Sequence, residues 1–139
     1  MNIQEQILKK VSALIEKKNY KEAKSILLNF INTTKNIKID LKFFYALYLT
    51  SNALKEEKDS KKYLEKCIKI NDKNHIILSN LANIYLKEGN IFKAEKFYLK
   101  SLEVKDDYLL GIINIAIFYQ TLGRFEESKK FYMKAIELS

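Results

Sequence analysis

Proline is absent from these 139 residues, tryptophan likewise, and cysteine, histidine and arginine each occur once, as Cys67, His75 and Arg124. A single cysteine excludes an intramolecular disulfide and fits a reducing compartment. No apolar run approaches the roughly 18 residues of a membrane span. The N-terminal MNIQEQILKKVSALIEKK has no apolar core of the kind a secretory signal carries. A cytoplasmic protein is expected. There is also no glycine-rich phosphate loop, no HExxH, no cysteine cluster and no Ser-His-Asp set. His75 lacks neighbours at ligand spacing, and Cys67 lacks a base to activate it. We therefore expect no enzyme, no catalytic residue, no cofactor and no metal, and read Cys67 as a buried structural thiol.

What the chain does have is periodicity. From His75 to Lys105, Leu78, Leu81, Ala82 and Tyr85 recur at the i, i+3, i+4, i+7 spacing of a buried helical face. Gly89 ends that helix, because glycine enters the left-handed conformation without steric cost. Asn90 can cap a second helix whose buried side carries Ile91, Ala94, Tyr98, Ser101 and Leu102. The small residues Ala82, Ala94 and Ser101 let the two helices approach closely. A helical hairpin follows.

The hairpin repeats. A shift of 34 residues lays Ile112, Ile115, Ala116 and Tyr119 over Leu78, Leu81, Ala82 and Tyr85. It also lays Gly123 over Gly89, Ser128 over Ala94, Tyr132 over Tyr98 and Ala135 over Ser101. This pattern at this period resembles the tetratricopeptide repeat. One period earlier stand Phe44, Leu47, Tyr48 and Ser51, then Ser60, Leu64 and Cys67, with Lys55 in place of the glycine. An N-terminal copy has Asn19-Tyr20, Ala23 and Leu27, with Lys10 where the family has leucine. The step from Ala23 to Ser60 is 37, so about three residues loop out near Thr33 to Ile37. The resemblance implies an all-α fold: a right-handed α-α superhelix of four stacked hairpins. It makes residues 1–139 a single domain with repeats at approximately 4–40, 41–74, 75–108 and 109–139. Expected helices span Asn2–Lys18, Tyr20–Asn32, Leu41–Leu54 and, capped by Asp59 or Ser60, Lys61–Ile70. Asn and Asp at the inter-repeat turns replace the family's proline by side-chain capping.

The formal charge of +8 raises an acidic partner or nucleic acid. Yet 24 of the 25 basic residues are lysine, and arginine is the residue suited to bidentate phosphate and base recognition. Acidic neighbours such as Glu126, near Lys129 and Lys130, also point to a solvated exterior. Nucleic acid is disfavoured as a partner. The basic amphipathic N-terminal helix could lie on a membrane surface, but its register fits the first helix of the array.

The resemblance implies a non-catalytic protein-interaction scaffold, with first helices lining a concave groove for a peptide or partner helix. By register the groove would carry Lys42, Tyr45, Leu49 and Asn52; Ile76, Ser79, Asn80, Asn83 and Lys87; Leu110, Ile113, Asn114, Ile117 and Gln120; and, in the first repeat, Lys9, Ser12 and Glu16. Ser79 and Ile113 stand where carboxylate-clamping relatives have lysine, so backbone and apolar contacts would hold the ligand. The chain stops at Ser139, where a fifth repeat would begin. An apolar edge of Phe118, Leu122, Ile136 and Leu138 is expected there, open to homo-association through the C-terminal face. The alternatives are the N-terminal module of a larger protein, such as a transferase, or a self-associating structural scaffold.

Overall fold

Asn, Asp and glycine punctuate the chain into eight α-helices with no strand, and the computed structural model describes all 139 residues. The helices are α1 (Ile3–Glu16), α2 (Tyr20–Thr33), α3 (Leu41–Ala53), α4 (Glu57–Ile70), α5 (His75–Lys87), α6 (Ile91–Val104), α7 (Leu109–Thr121) and α8 (Phe125–Leu138). The all-α expectation holds. The chain forms two compact units, residues 1–71 and 72–139. Within the first, α1 pairs with α2 and α3 with α4, and α3 also touches α1 and α2. In the second, α5 pairs with α6 and α7 with α8, and α7 touches α5 and α6.

Two of the three inter-repeat helix starts, those of α3 and α5, use side-chain caps where a proline could stand; α7 starts after Tyr108 without one, against the expectation for its Asp106-Asp107 turn. Asp40 Oδ1 accepts from the Lys42 N–H at 3.3 Å, and Asn74 Oδ1 from the Ile76 and Ile77 N–H groups at 3.0 and 3.1 Å. Each satisfies donors that the first helical turn leaves without a partner. The loop between α2 and α3 is the long one, and Gln4 staples it. Its Nε2 donates to the Lys38 carbonyl and its Oε1 accepts from the Asp40 N–H, both at 2.9 Å.

Each hairpin turns on a residue with positive φ. Gly89 (+78°) and Gly123 (+76°) do this in the second unit, Lys18 (+61°) and Lys55 (+62°) in the first. The left-handed turn thus persists where the glycine is missing. This corrects the expected start of α4, which begins at Glu57 rather than Lys61, one turn earlier. Asp59 and Ser60 lie inside the helix, because the turn at Lys55 sets the start and no side-chain cap is used.

The seams close over small residues. Cys67, Ala82, Ala94, Ser101, Ala116 and Ala135 are all buried, as their register requires. Ser101 Oγ donates to the His75 carbonyl at 2.8 Å, and Cys67 Sγ takes the equivalent place against the Leu41 carbonyl at 3.8 Å. Ser128 Oγ donates to the Ala116 carbonyl at 2.8 Å, tying α8 to α7 where both backbones are close. Tyr85 packs on Phe97 and Tyr119 stacks on Phe131, with ring centroids 5.3 and 5.7 Å apart.

Phe118 overturns its expectation. It is fully buried, its ring 5.2 Å from those of Tyr98 and Tyr119, so it packs back toward α6 and not at the C-terminal edge. A first helix buries one flank against the preceding hairpin and another against its own partner. Register alone assigned Phe118 to the wrong flank. None of the eight helices is long and apolar enough to cross a membrane.

Candidate interaction surface

The first helices of the second unit, α5 and α7, are apolar on more than one side. Leu78, Leu81 and Ala82 of α5, with Ile112, Ile115 and Ala116 of α7, form the core. A further set stays in solvent: Ile76 on α5, and Leu109, Leu110 and Ile117 on α7. Ile113 and the amides Asn80, Asn83 and Asn114 are half-buried between these, while Lys87 and Gln120 are exposed toward the helix ends. Solvated isoleucine and leucine beside carboxamides can cover an apolar side chain and bond a peptide backbone.

Two tyrosines orient amides of this set. Tyr98 Oη donates to Asn83 Oδ1, and Tyr132 Oη donates to Gln120 Oε1 at 2.8 Å. With its oxygen engaged, each amide is left to present N–H donors. Burial pushes the Tyr98 phenol up to about 12, so it stays a donor throughout the neutral range. The sequence pattern marked Asn83 and Gln120 but not the tyrosines that set their direction. A Tyr-to-amide pairing within each hairpin is visible only once the second helix folds back.

Ser79 does not join the surface. It is 2% exposed and its Oγ has no hydrogen-bond partner, because its position on α5 turns into the protein. The first unit is less apolar on the corresponding side. Lys42, Leu49 and Asn52 are exposed, and Tyr45 is half-buried with its ring 5.6 Å from that of Tyr48. Lys9, Ser12 and Glu16 of α1 are exposed. At the C-terminal edge Ile136 is 71% exposed, Leu138 and Met133 are exposed, and Leu122 is half-buried.

The single thiol and single imidazole are placed for structure. Burial pushes the Cys67 thiol up to about 12, far from a thiolate at neutral pH. His75 packs edge-on against Tyr108 at 4.6 Å, and its pKa is lowered by burial and then by Lys105. No three His, Cys, Asp or Glu side chains converge as metal ligands would.

An ion triad joins the second helices of each unit, with one member at the N-cap of the later helix. In the first unit Lys24 of α2 is 7% exposed and meets Glu56 at 2.6 Å and Asp59 at 2.8 Å. Burial alone would lower its pKa, but the hydrogen bonds it donates to Asp59 and Glu56, with their negative charges, outweigh that and raise it. The second unit pairs Arg124 with Glu95 and with Glu127, both at 2.6 Å. The guanidinium also lies 4.6 Å over the Tyr119 ring.

Models of the tetratricopeptide repeat match residues 48–74, 63–96 and 112–139, which together take in more than half of the chain. The chain belongs to the tetratricopeptide repeat family. No curated protein matches its sequence. Among solved structures, MamA is similar at 21% identity and a TM-score of 0.84, over 99% of this chain and 78% of MamA. MamA of Desulfovibrio magneticus RS-1 is similar at 13% identity and 0.83, over 97% and 75%. YrrB, described as a tetratricopeptide repeat protein with an unusual peptide-binding site, is similar at 19% identity and 0.79, over 93% of this chain and 65% of YrrB. These likenesses are likenesses of fold. As a member of the family, the chain is a protein-interaction module.

Proposed function

We propose that this module is non-catalytic and takes an extended peptide, or one helix of a partner protein, along α5 and α7. The observation that carries the reading is the solvated row Ile76, Leu110 and Ile117 beside amides whose oxygens tyrosines already hold. Apolar ligand side chains would cover the row, and the Asn83 and Gln120 N–H groups would bond the ligand's carbonyls. YrrB, with its peptide-binding site, supports the assignment by fold. Because isoleucine stands at 113 and the buried Ser79 at its counterpart, a C-terminal carboxylate adds little. The test is peptide-array selection followed by titration of the best binder. Leu110→Lys with Ile117→Lys should weaken it at least about tenfold, whereas amidating its C-terminus should change affinity less than about threefold. Unchanged affinity in the double variant would refute the site.

A second reading has its own observation in the exposed Phe125, Met133 and Ile136 of α8. An apolar helix face of this kind favours self-association. Light scattering should then report a dimer that Ile136→Lys with Met133→Lys returns to monomer; a monomeric wild type would remove the reading.

A further inference from the structure

The charge of the chain is not shared between its units. Residues 1–71 hold fifteen lysines against eight acidic residues, a formal +7, while residues 72–139 hold ten basic residues against nine acidic, or +1. Five of those lysines lie on α4, which also holds Glu57, Asp59 and Glu65 and so carries a formal +2; what sets it apart is how four of the lysines are arranged. Lys58, Lys62, Lys66 and Lys69 of α4 follow one another at steps of four, four and three residues, and Lys55 precedes them by three. At 3.6 residues per turn the four helical lysines share an arc of about 80°. All five are exposed, and the arc lies away from Ser60, Tyr63, Leu64 and Cys67, the buried side of α4. None of the five is in a salt bridge. Lys62 and Lys66 rest instead over the rings of Tyr63 and Phe44, at 5.3 and 5.5 Å, which positions their ammonium groups without neutralising them.

Comparison between repeats shows that the stripe is not a general feature of the solvated exterior. The same positions hold Lys21, Ser25, Asn29 and Asn32 in α2. In α6 they hold Phe92, Lys96, Lys100 and Glu103, and in α8 Glu126, Lys130, Lys134 and Glu137. Only α4 is lysine at every one.

We propose that the outer face of α4 is a second docking surface, separate from the α5–α7 row, for an acidic segment of a protein partner. Its ammonium groups repeat once per turn, about every 5.4 Å, which is the repeat of carboxylates at i and i+4 on a partner helix. Charge complementarity over such a row steers association and fixes register. Other polyanions fit less well. The face has no arginine for bidentate phosphate recognition, and the aromatic rings of unit 1 are all buried or half-buried, which leaves none fully open for a base to stack on. Ile70, at the end of α4, is its one exposed large apolar residue, so there is no apolar face to enter a bilayer.

The test uses the full chain and fluorescence anisotropy with three probes: a glutamate-rich helical peptide, a single-stranded oligothymidylate of equal charge, and phosphatidylserine-containing vesicles. The peptide should bind at low salt and be released as ionic strength rises, since exposed charges are screened. Lys58→Glu, Lys62→Glu, Lys66→Glu and Lys69→Glu combined should weaken it at least about 30-fold. The same four changed to Gln guard against misfolding and should weaken it by a smaller factor with an unaltered melt. Reversing Lys96, Lys105, Lys129 and Lys130 changes the net charge equally and should cost less than about threefold. An equal loss in that control, no peptide binding at low salt, or binding confined to the oligonucleotide or the vesicles would each overturn the proposal.

Discussion

The two units build the same pair of hairpins, and they differ where one would expect a repeat to be strictest. In the second unit a small residue precedes the seam tyrosine by three, as Ala82 with Tyr85 and Ala116 with Tyr119. In the first unit α3 reverses the order: Tyr48 stands at the small position and Ser51 at the large one, and both are buried. The ion triads are inverted as well. Lys24 occupies the position of Glu95, Glu56 that of Arg124, and Asp59 that of Glu127. The hairpin turns are lysine in one unit and glycine in the other. What the repeat specifies is therefore a set of sites with joint requirements: a pair of volumes, a cation between two anions, a left-handed turn. Which member supplies each part is open.

The largest test concerns volume. Tyr48→Ala should cost about 3 kcal/mol, the usual scale for removing a buried aromatic, read from urea denaturation. Adding Ser51→Tyr recreates the order of the second unit and should recover more than half. A double variant no more stable than the single one would show that the exchange is not compensatory.

The triad comes next. Lys24→Glu brings three carboxylates together and should cost about 2 kcal/mol, less than for a sealed ion pair because Glu56 and Asp59 remain partly in water. Glu56→Arg in the same molecule reproduces the Glu95–Arg124–Glu127 arrangement and should restore most of it. The pH dependence has a definite sign. Lys24 has a raised pKa, so its contribution is full below the unfolded value of 10.5 and is lost as pH climbs through the folded one. Asp59 has a pKa lowered chiefly by the Lys24 hydrogen bond, so its contribution is present above 3.8 and fades as pH falls. Lys24→Met should flatten both ends of the stability profile measured by thermal melts from acid to alkali.

The smallest effect is at the turns. Lys55→Gly should raise stability by up to about 1 kcal/mol, the cost of a left-handed non-glycine residue. Gly89→Lys should lower it by a similar amount, since a side chain there meets open space and only backbone strain is at issue. Differential scanning calorimetry would resolve either.

The fold was legible because its signals were local. The 34-residue shift aligned Leu78, Ala82, Tyr85 and Gly89 with their successors, and every small seam residue named from it is buried. Two failures share a cause. Phe118 and Ser79 lie on first helices, which bury more than one flank, so periodicity says that a residue faces inward without saying toward which neighbour. The α4 start was missed for another reason: Lys55 turns as glycine would, which composition does not announce. The triads were invisible because their members are some 30 residues apart and change sign between units.

Cys67 has one more consequence. It is the only thiol of the chain, it is closed to solvent between α3 and α4, and burial holds it protonated. A thiol-specific reagent added to the native protein can therefore react only when that hairpin opens. The rate of labelling is a clock for opening of the α3–α4 hairpin. With one unmodified chain, the experimenter can time the opening of a single hairpin while spectroscopy follows the whole.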